Sequence, residues 1–267
     1  MASPSPNFTP RLYHGAPLPA GVTLAGYGLA IATFLAVGLV IGGGRRELAV
    51  AQVAGLGLVP LALARLHQAP LAALGLVRPR WGALVGALVA GAGLWLVALH
   101  AAAPVLEATR RHAEVETWSA TVFGGGPSWF EIALTVVIVP SLCEELTHRG
   151  LLAGGLTPRL GRLGAIAIST ALFAALHLEP ARIIATAIVG GAAGAVAAWS
   201  RSLVPAIALH AVNNAIVAAL SLGHAPSLRR AIDHHAAATL AIAVALAIGG
   251  LAVVRATSPR GSATVQP

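Results

Sequence analysis

The sequence predicts an all-α, polytopic membrane bundle of about eight transmembrane helices, and two observations carry that prediction. First, 57% of the residues are hydrophobic and only 10% are charged, with a mean hydropathy of +0.82. Soluble domains carry about a quarter of their residues as charges, so a chain this apolar has no polar surface to show to water. Second, the apolar residues fall in long runs, and a run of about 18 or more argues for a membrane span. At 267 residues the chain accommodates one membrane domain and little besides.

The spans are drawn at Ala20–Gly43, Leu48–Ala64, Gly82–Ala103, Trp129–Leu156, Leu163–Leu178, Ile183–Trp199, Leu203–Leu222 and Ala236–Val254. They divide the chain into a polar segment over 1–19, a transmembrane domain over 20–254 and a polar tail over 255–267. The first run is longer than the roughly 7–15 residues of a signal-peptide core and reads as a retained span. The second is short and holds Pro60, which favours a kink. The longest connection, Pro104–Ser128, is charged, ends near a Gly124-Gly125-Gly126 turn, and suits a short amphipathic helix at the interface. Gly82 and Gly86, and Gly190 and Gly194, have the four-residue spacing that lets helix backbones approach. An Ala/Gly-rich composition alone would account for them equally well.

The formal charge of +8 comes from 17 Lys plus Arg against 9 Asp plus Glu, and every basic residue is Arg. These Arg residues sit in breaks between apolar runs, where they meet the charged lipid surface. No basic patch lies on a polar fold, which argues against a nucleic-acid partner. Counted by side, Arg11, Arg78, Arg80, Arg159, Arg162, Arg201, Arg255 and Arg260 share the side of the termini. Arg45, Arg46, Arg110, Arg111, Arg182, Arg229 and Arg230 take the other. The margin of a single Arg favours cytoplasmic termini only slightly. Cys143 is alone, so neither an intrachain disulfide nor a multi-cysteine metal site can form.

Polar groups inside hydrocarbon cost several kcal/mol each, and those found within the spans gather in three places. Each place shows an i, i+4 pair on one helix face. In Cys143-Glu144-Glu145-Leu146-Thr147-His148-Arg149, Glu145 can pair with Arg149, leaving Glu144 for another task. The second place is Phe173-x-x-x-His177, and the third is His210-x-x-x-Asn214, with Asn213 facing elsewhere. Taken singly, each has a structural explanation: an interfacial helix end for the first, and interhelical hydrogen bonds for the others. His148 reads as an interfacial residue near a loop. Together, polar groups on three apolar helices satisfy one another only by converging. The depths are uneven in straight helices. At about 1.5 Å per residue, Glu144 lies about 18 Å from Leu156, His177 about 21 Å from Leu163, and His210 about 10 Å from Leu203. Helix tilt and a kink near Pro140 would bring them level.

A carboxylate in a low-dielectric site is a competent base for water, and an imidazole with an amide can donate to a developing oxyanion. This set supports amide hydrolysis without a Ser or Cys nucleophile. Cys143 projects about 100° away from Glu144, and Ser141 and Ser169 lack a triad. A divalent metal such as zinc, held by Glu144, His177 and His210, is the close variant, although no HExxH is present. A non-catalytic membrane scaffold or bacteriocin-immunity-type protein, using the same cluster for packing or partner binding, is the alternative from another class. A transporter is disfavoured because no paired broken helices are evident.

Glu144-Glu145-x-x-x-Arg149, Phe173-x-x-x-His177 and His210-x-x-x-Asn214, in this order and on separate spans, resemble the CPBP family of intramembrane proteases. That family includes the type II CAAX prenyl endopeptidases and many bacterial relatives grouped as abortive-infection proteins. The likeness is good over roughly residues 129–222, and Leu74-Gly75-Leu76-Val77-Arg78-Pro79-Arg80 adds a weaker feature. The resemblance implies a multi-pass cell-membrane endopeptidase acting on a membrane-associated protein or peptide. It implies Glu144 as the water-activating base with His177 beside it, and His210 with Asn214 as the pair that stabilises the oxyanion. Glu145, Arg149 and Phe173 would support them. Metal dependence in the family is contested, and the resemblance leaves it open.

Overall fold

A computed structural model describes residues 11–259. Among them there is helix and no strand. The long helices are α1 (Ala20–Ile41), α2 (Arg45–Leu66) and α3 (Trp81–Thr109). A connecting helix α4 (His112–Phe123) follows. The chain is then helical over 129–160 (α5) and 162–175 (α6), separated at Gly161, whose φ of 68° and ψ of 171° leave helical space. The remaining helices are α7 (Pro180–Ser200), α8 (Val204–Ser221), the short α9 (Pro226–His234) and α10 (Ala236–Thr257).

Six of these, α1, α2, α3, α7, α8 and α10, are long and apolar enough to cross a membrane. The other two expected spans fall on α5 and α6, which are helical but carry the polar motif and the Arg159–Arg162 turn. Leu39, Leu163 and Phe130 are among many large apolar side chains left exposed, as a surface facing lipid tails requires. The interior is filled largely with small residues. Gly86 lies against the Gly250 carbonyl and Val254, Gly93 against Ala243, and Gly55 against Ala30 and Phe34. A side chain at any of them would hold α3 off α10, or α2 off α1.

Two prolines shape the middle of the bundle. Proline has no N–H, so Pro60 and Pro140 each leave the carbonyl four residues earlier without its helical donor. Thr147 Oγ1 donates to the Leu56 carbonyl, and Asn214 Nδ2 donates to the Val136 carbonyl at 3.2 Å. The freed groups are thus answered from neighbouring helices, α5 and α8. π-helical bonding runs over Gln52–Leu58, Ala133–Ile138 and Leu146–Ala153, the first two just ahead of those prolines.

Of the two polar ends, residues 11–19 and 255–259 are described, and residues 260–267 lie outside the described residues. Within 11–19, Leu12, Tyr13 and Leu18 are buried, and the Tyr13 hydroxyl donates to the Arg149 carbonyl at 3.1 Å. This stretch therefore packs into the end of the bundle; residues 1–10 lie outside the described residues. At the other end α10 continues to Thr257 and Ser258 is buried, so helix extends past the expected boundary at Val254. The connection after Pro104 does form a helix, α4. Pro104 itself lies inside α3, which ends only where Arg110 takes the left-handed conformation.

Candidate active site

α5 supplies the centre of the site. Glu145 is fully buried, and its Oε1 accepts from Arg149 Nη1 at 3.0 Å, one helical turn on as the spacing predicts. Arg149 in turn donates through Nη2 to the Gly190 carbonyl at 2.7 Å, while its guanidinium carbon lies 4.7 Å from the Phe173 ring centre. This contact depends on Gly190 lacking a side chain. A Cβ there would sit 2.6 Å from Arg149 Nη2 and 2.9 Å from Phe173.

His210 on α8 reaches both carboxylates. Its Nδ1 lies 3.0 Å from Glu145 Oε1, and its Nε2 lies 3.7 Å from Glu144 Oε2. An ionised carboxylate can only accept, so Nδ1 carries the proton in that bond and Nε2 is turned to Glu144. His177 follows the C-terminal end of α6. Its Nδ1–H donates to the Phe173 carbonyl at 3.2 Å, which leaves Nε2 free, and the ring lines the same cavity as Glu144. Phe173 is the hub: the rings of His148, His177 and His210 stand edge-on to it at 5.0, 5.2 and 5.9 Å. Asn214 donates to Val136 and accepts from Asn213 at 3.2 Å, and its amide lines the cavity near His210.

The uneven depths expected from straight helices do not keep these groups apart, since Glu144, His177, His210 and Asn214 line one cavity. The i→i+5 bonding of π-helix fits more residues into each turn, so the Leu146–Ala153 stretch shortens the axial distance from Glu144 to the helix end. α5 runs on past Leu156 before it breaks at Gly161, which lengthens that path again.

Other residues stand where the sequence reading did not put them. His148 is fully buried rather than interfacial, because α5 continues for more than two turns beyond it. Its Nδ1–H donates to the Glu144 carbonyl at 2.8 Å, and its Nε2 accepts from the Tyr27 hydroxyl at 3.3 Å. Gln52, on α2, donates through Nε2 to Glu144 Oε1 at 2.8 Å. Neither Tyr27 nor Gln52 was singled out from sequence, although Gln52 is the one polar side chain between Leu48 and Ala64. Cys143 is buried against Ala30 and Leu56, away from the site.

The cavity holds about 370 Å³. It runs from Glu144, His177 and His210 toward the end of the bundle that carries Arg45, Arg182 and α4. Trp118, Val122 and Phe123 of α4 form part of its wall. That wall is pinned at two points. Arg182 lies over the Trp118 ring at 4.0 Å. Arg45 pairs with Glu131 at 2.6 Å and donates to the Gly124 carbonyl at 2.7 Å.

The metal set expected from sequence, Glu144, His177 and His210, lines one cavity. Among the described residues no three or more His, Cys, Asp or Glu side chains are placed to hold a metal ion. His210 Nδ1 is committed to Glu145 and His177 Nδ1 to its own helix. Those bonds hold both rings through Nδ1 and leave the two Nε2 atoms on the cavity that Glu144 also lines, the orientation a metal-binding imidazole also takes.

What the cluster brings together is a carboxylate with one anchored oxygen, two imidazoles, an amide and access from one end. Residues 126–216 match the family model described as Type II CAAX prenyl endopeptidase Rce1-like. The matched stretch is about a third of the chain and includes Glu144, Glu145, Arg149, Phe173, His177, His210 and Asn214. Neither the curated proteins nor the solved structures give a match.

Proposed function

The Rce1-like match supports a CPBP family intramembrane protease, and from that premise we propose that the protein hydrolyses a peptide bond of a membrane-associated protein or peptide with water activated at Glu144. The observation that carries this reading is the meeting of Glu144, Glu145 and His210 across two apolar helices at 3.0 and 3.7 Å, at the base of an open cavity. Ionisable groups in a membrane interior mark functional sites by default.

In the proposed reaction Glu144 takes a proton from water, with His177 flanking it. The hydroxide forms a C–O bond to the scissile carbonyl carbon. The carbonyl oxygen takes up the negative charge and meets the second Nδ2–H of Asn214, joined by His210 when its Nε2 also carries a proton. Collapse of this intermediate breaks the C–N bond, and Glu144 returns its proton to the leaving amine. Glu145 and Arg149 act one step back: Glu145 fixes the ring of His210, and Arg149 neutralises Glu145 and braces Phe173.

The cell membrane is the proposed location and a peptide or protein the proposed partner, presented from the cavity end that carries Arg45 and Arg182. The test is a comparison of new protein termini, by mass spectrometry, in cells making the wild type, Glu144→Ala or His177→Ala. Termini that appear with the wild type and vanish with both variants are the expected result. Equal sets of termini in all three strains would end the proposal and favour the scaffold alternative.

A further inference from the structure

We infer that Gln52 is a positioning residue for Glu144, contributed by a helix outside the matched stretch 126–216. The inference rests on the reading of Glu144 as the water-activating group and deepens it. Gln52 is 4% exposed, and its Nε2 donates to Glu144 Oε1 at 2.8 Å. The other half of the same amide, Oε1, is buried with no hydrogen-bond partner among the described residues.

That asymmetry separates a positioning role from a structural one. A buried amide retained for stability finds partners at both ends, because an unmatched buried carbonyl is costly. Gln52 satisfies only the end that touches Glu144. The surrounding helix is apolar, and a Leu would fill the same space without the orphaned oxygen. The contribution of Gln52 therefore lies in what it holds.

What it holds is one of two equivalent oxygens. With Oε1 tied to α2, the plane of the Glu144 carboxylate is fixed, and Oε2 is the oxygen turned to His210 Nε2 at 3.7 Å. Gln52 itself lines the cavity. An amide suits this task better than Arg or Lys, since it donates to the carboxylate without adding a positive charge beside a base. The site thus spans α2, α5, α6 and α8, and α2 sets the aim of the base.

The experiment compares wild type, Gln52→Leu and Glu144→Gln as purified full-length protein in detergent, with a quenched fluorescent farnesylated peptide as probe. For Gln52→Leu the expected kcat is 10- to 100-fold lower, with KM within twofold and the thermal unfolding midpoint unchanged or raised. A kcat within twofold of wild type overturns the inference. So does a kcat that falls together with the unfolding midpoint, which is the signature of a structural residue. Cleavage by Glu144→Gln at the wild-type rate is a separate outcome that removes the underlying reading. A second measurement needs no turnover. The infrared carboxylate bands of Glu144, isolated as the difference between wild type and Glu144→Gln, shift in Gln52→Leu if the amide holds Oε1. Unchanged bands overturn the inference.

Discussion

Phe173 is the residue on which the polar groups lean, and its neighbours show which contacts local spacing can foretell. The pairs Glu145–Arg149 and His210–Asn214 lie four residues apart on single helices, and Phe173–His177 spans the last turn of α6 and the turn just after it, where 3.6 residues per turn sets the geometry. They were legible for that reason. The contact of His210 with Glu145 at 3.0 Å was not, since it depends on the register between α5 and α8. Gln52 escaped notice because a lone amide in an apolar run carries no spacing signal. Gly190 offers a sharp test at this scale. In Gly190→Ala the new methyl would sit 2.6 Å from Arg149 Nη2, forcing the guanidinium off the Gly190 carbonyl. Overpacking of this kind costs about 1–3 kcal/mol. The expected outcome is a lower unfolding midpoint and loss of cleavage; an unchanged midpoint would count against the packing described. Arg149→Lys keeps the charge but lacks the fork that reaches Glu145 and Gly190 together. Cleavage assays on this variant are expected to show at least a tenfold loss.

At the scale of elements, the long apolar runs made the helices readable, and single residues decided where they bend or stop. Gly161, at φ 68°, divides a helical stretch where two spans had been drawn, and α3 runs past the expected end at Ala103 to stop at Arg110. Pro60 and Pro140 could be read as kinks. Which side chain would answer each freed carbonyl could not, because those donors come from other helices. Thr147→Val would leave the Leu56 carbonyl without its donor, at a cost of about 1–3 kcal/mol. Thermal unfolding in detergent should show that loss, and an unaltered midpoint would speak against this bond. Pro140→Ala acts in the opposite direction. It restores an N–H that competes for the Val136 carbonyl, releasing Asn214 from the 3.2 Å contact that now orients it. The expected outcome is a gain or no change in stability together with slower cleavage.

The whole molecule is asymmetric from end to end, and composition could not reveal this. Tyr13 and Leu12 pack into one end, behind Arg149. The cavity opens toward the other, where α4 is pinned by Arg182 on Trp118 and by Arg45 on Gly124. The polar reading of residues 1–19 missed that plug, because Leu12, Tyr13 and Leu18 are scattered among Pro and Arg and show no helical period. One-sided access is testable with Thr186→Cys, a cavity position. A membrane-impermeant maleimide should label it from the α4 side of sealed vesicles and not from the side of Tyr13, whereas native Cys143, being buried, should stay unlabelled from either side. In the proposed reading this arrangement serves one half-buried carboxylate, Glu144. The most direct measurement is therefore cleavage of membrane substrate by purified wild type and Glu144→Gln in proteoliposomes, at matched protein and matched unfolding midpoint. A loss of at least a hundredfold in the rate for Glu144→Gln, with the fold intact, is the expected result. Equal rates from the two proteins would contradict it.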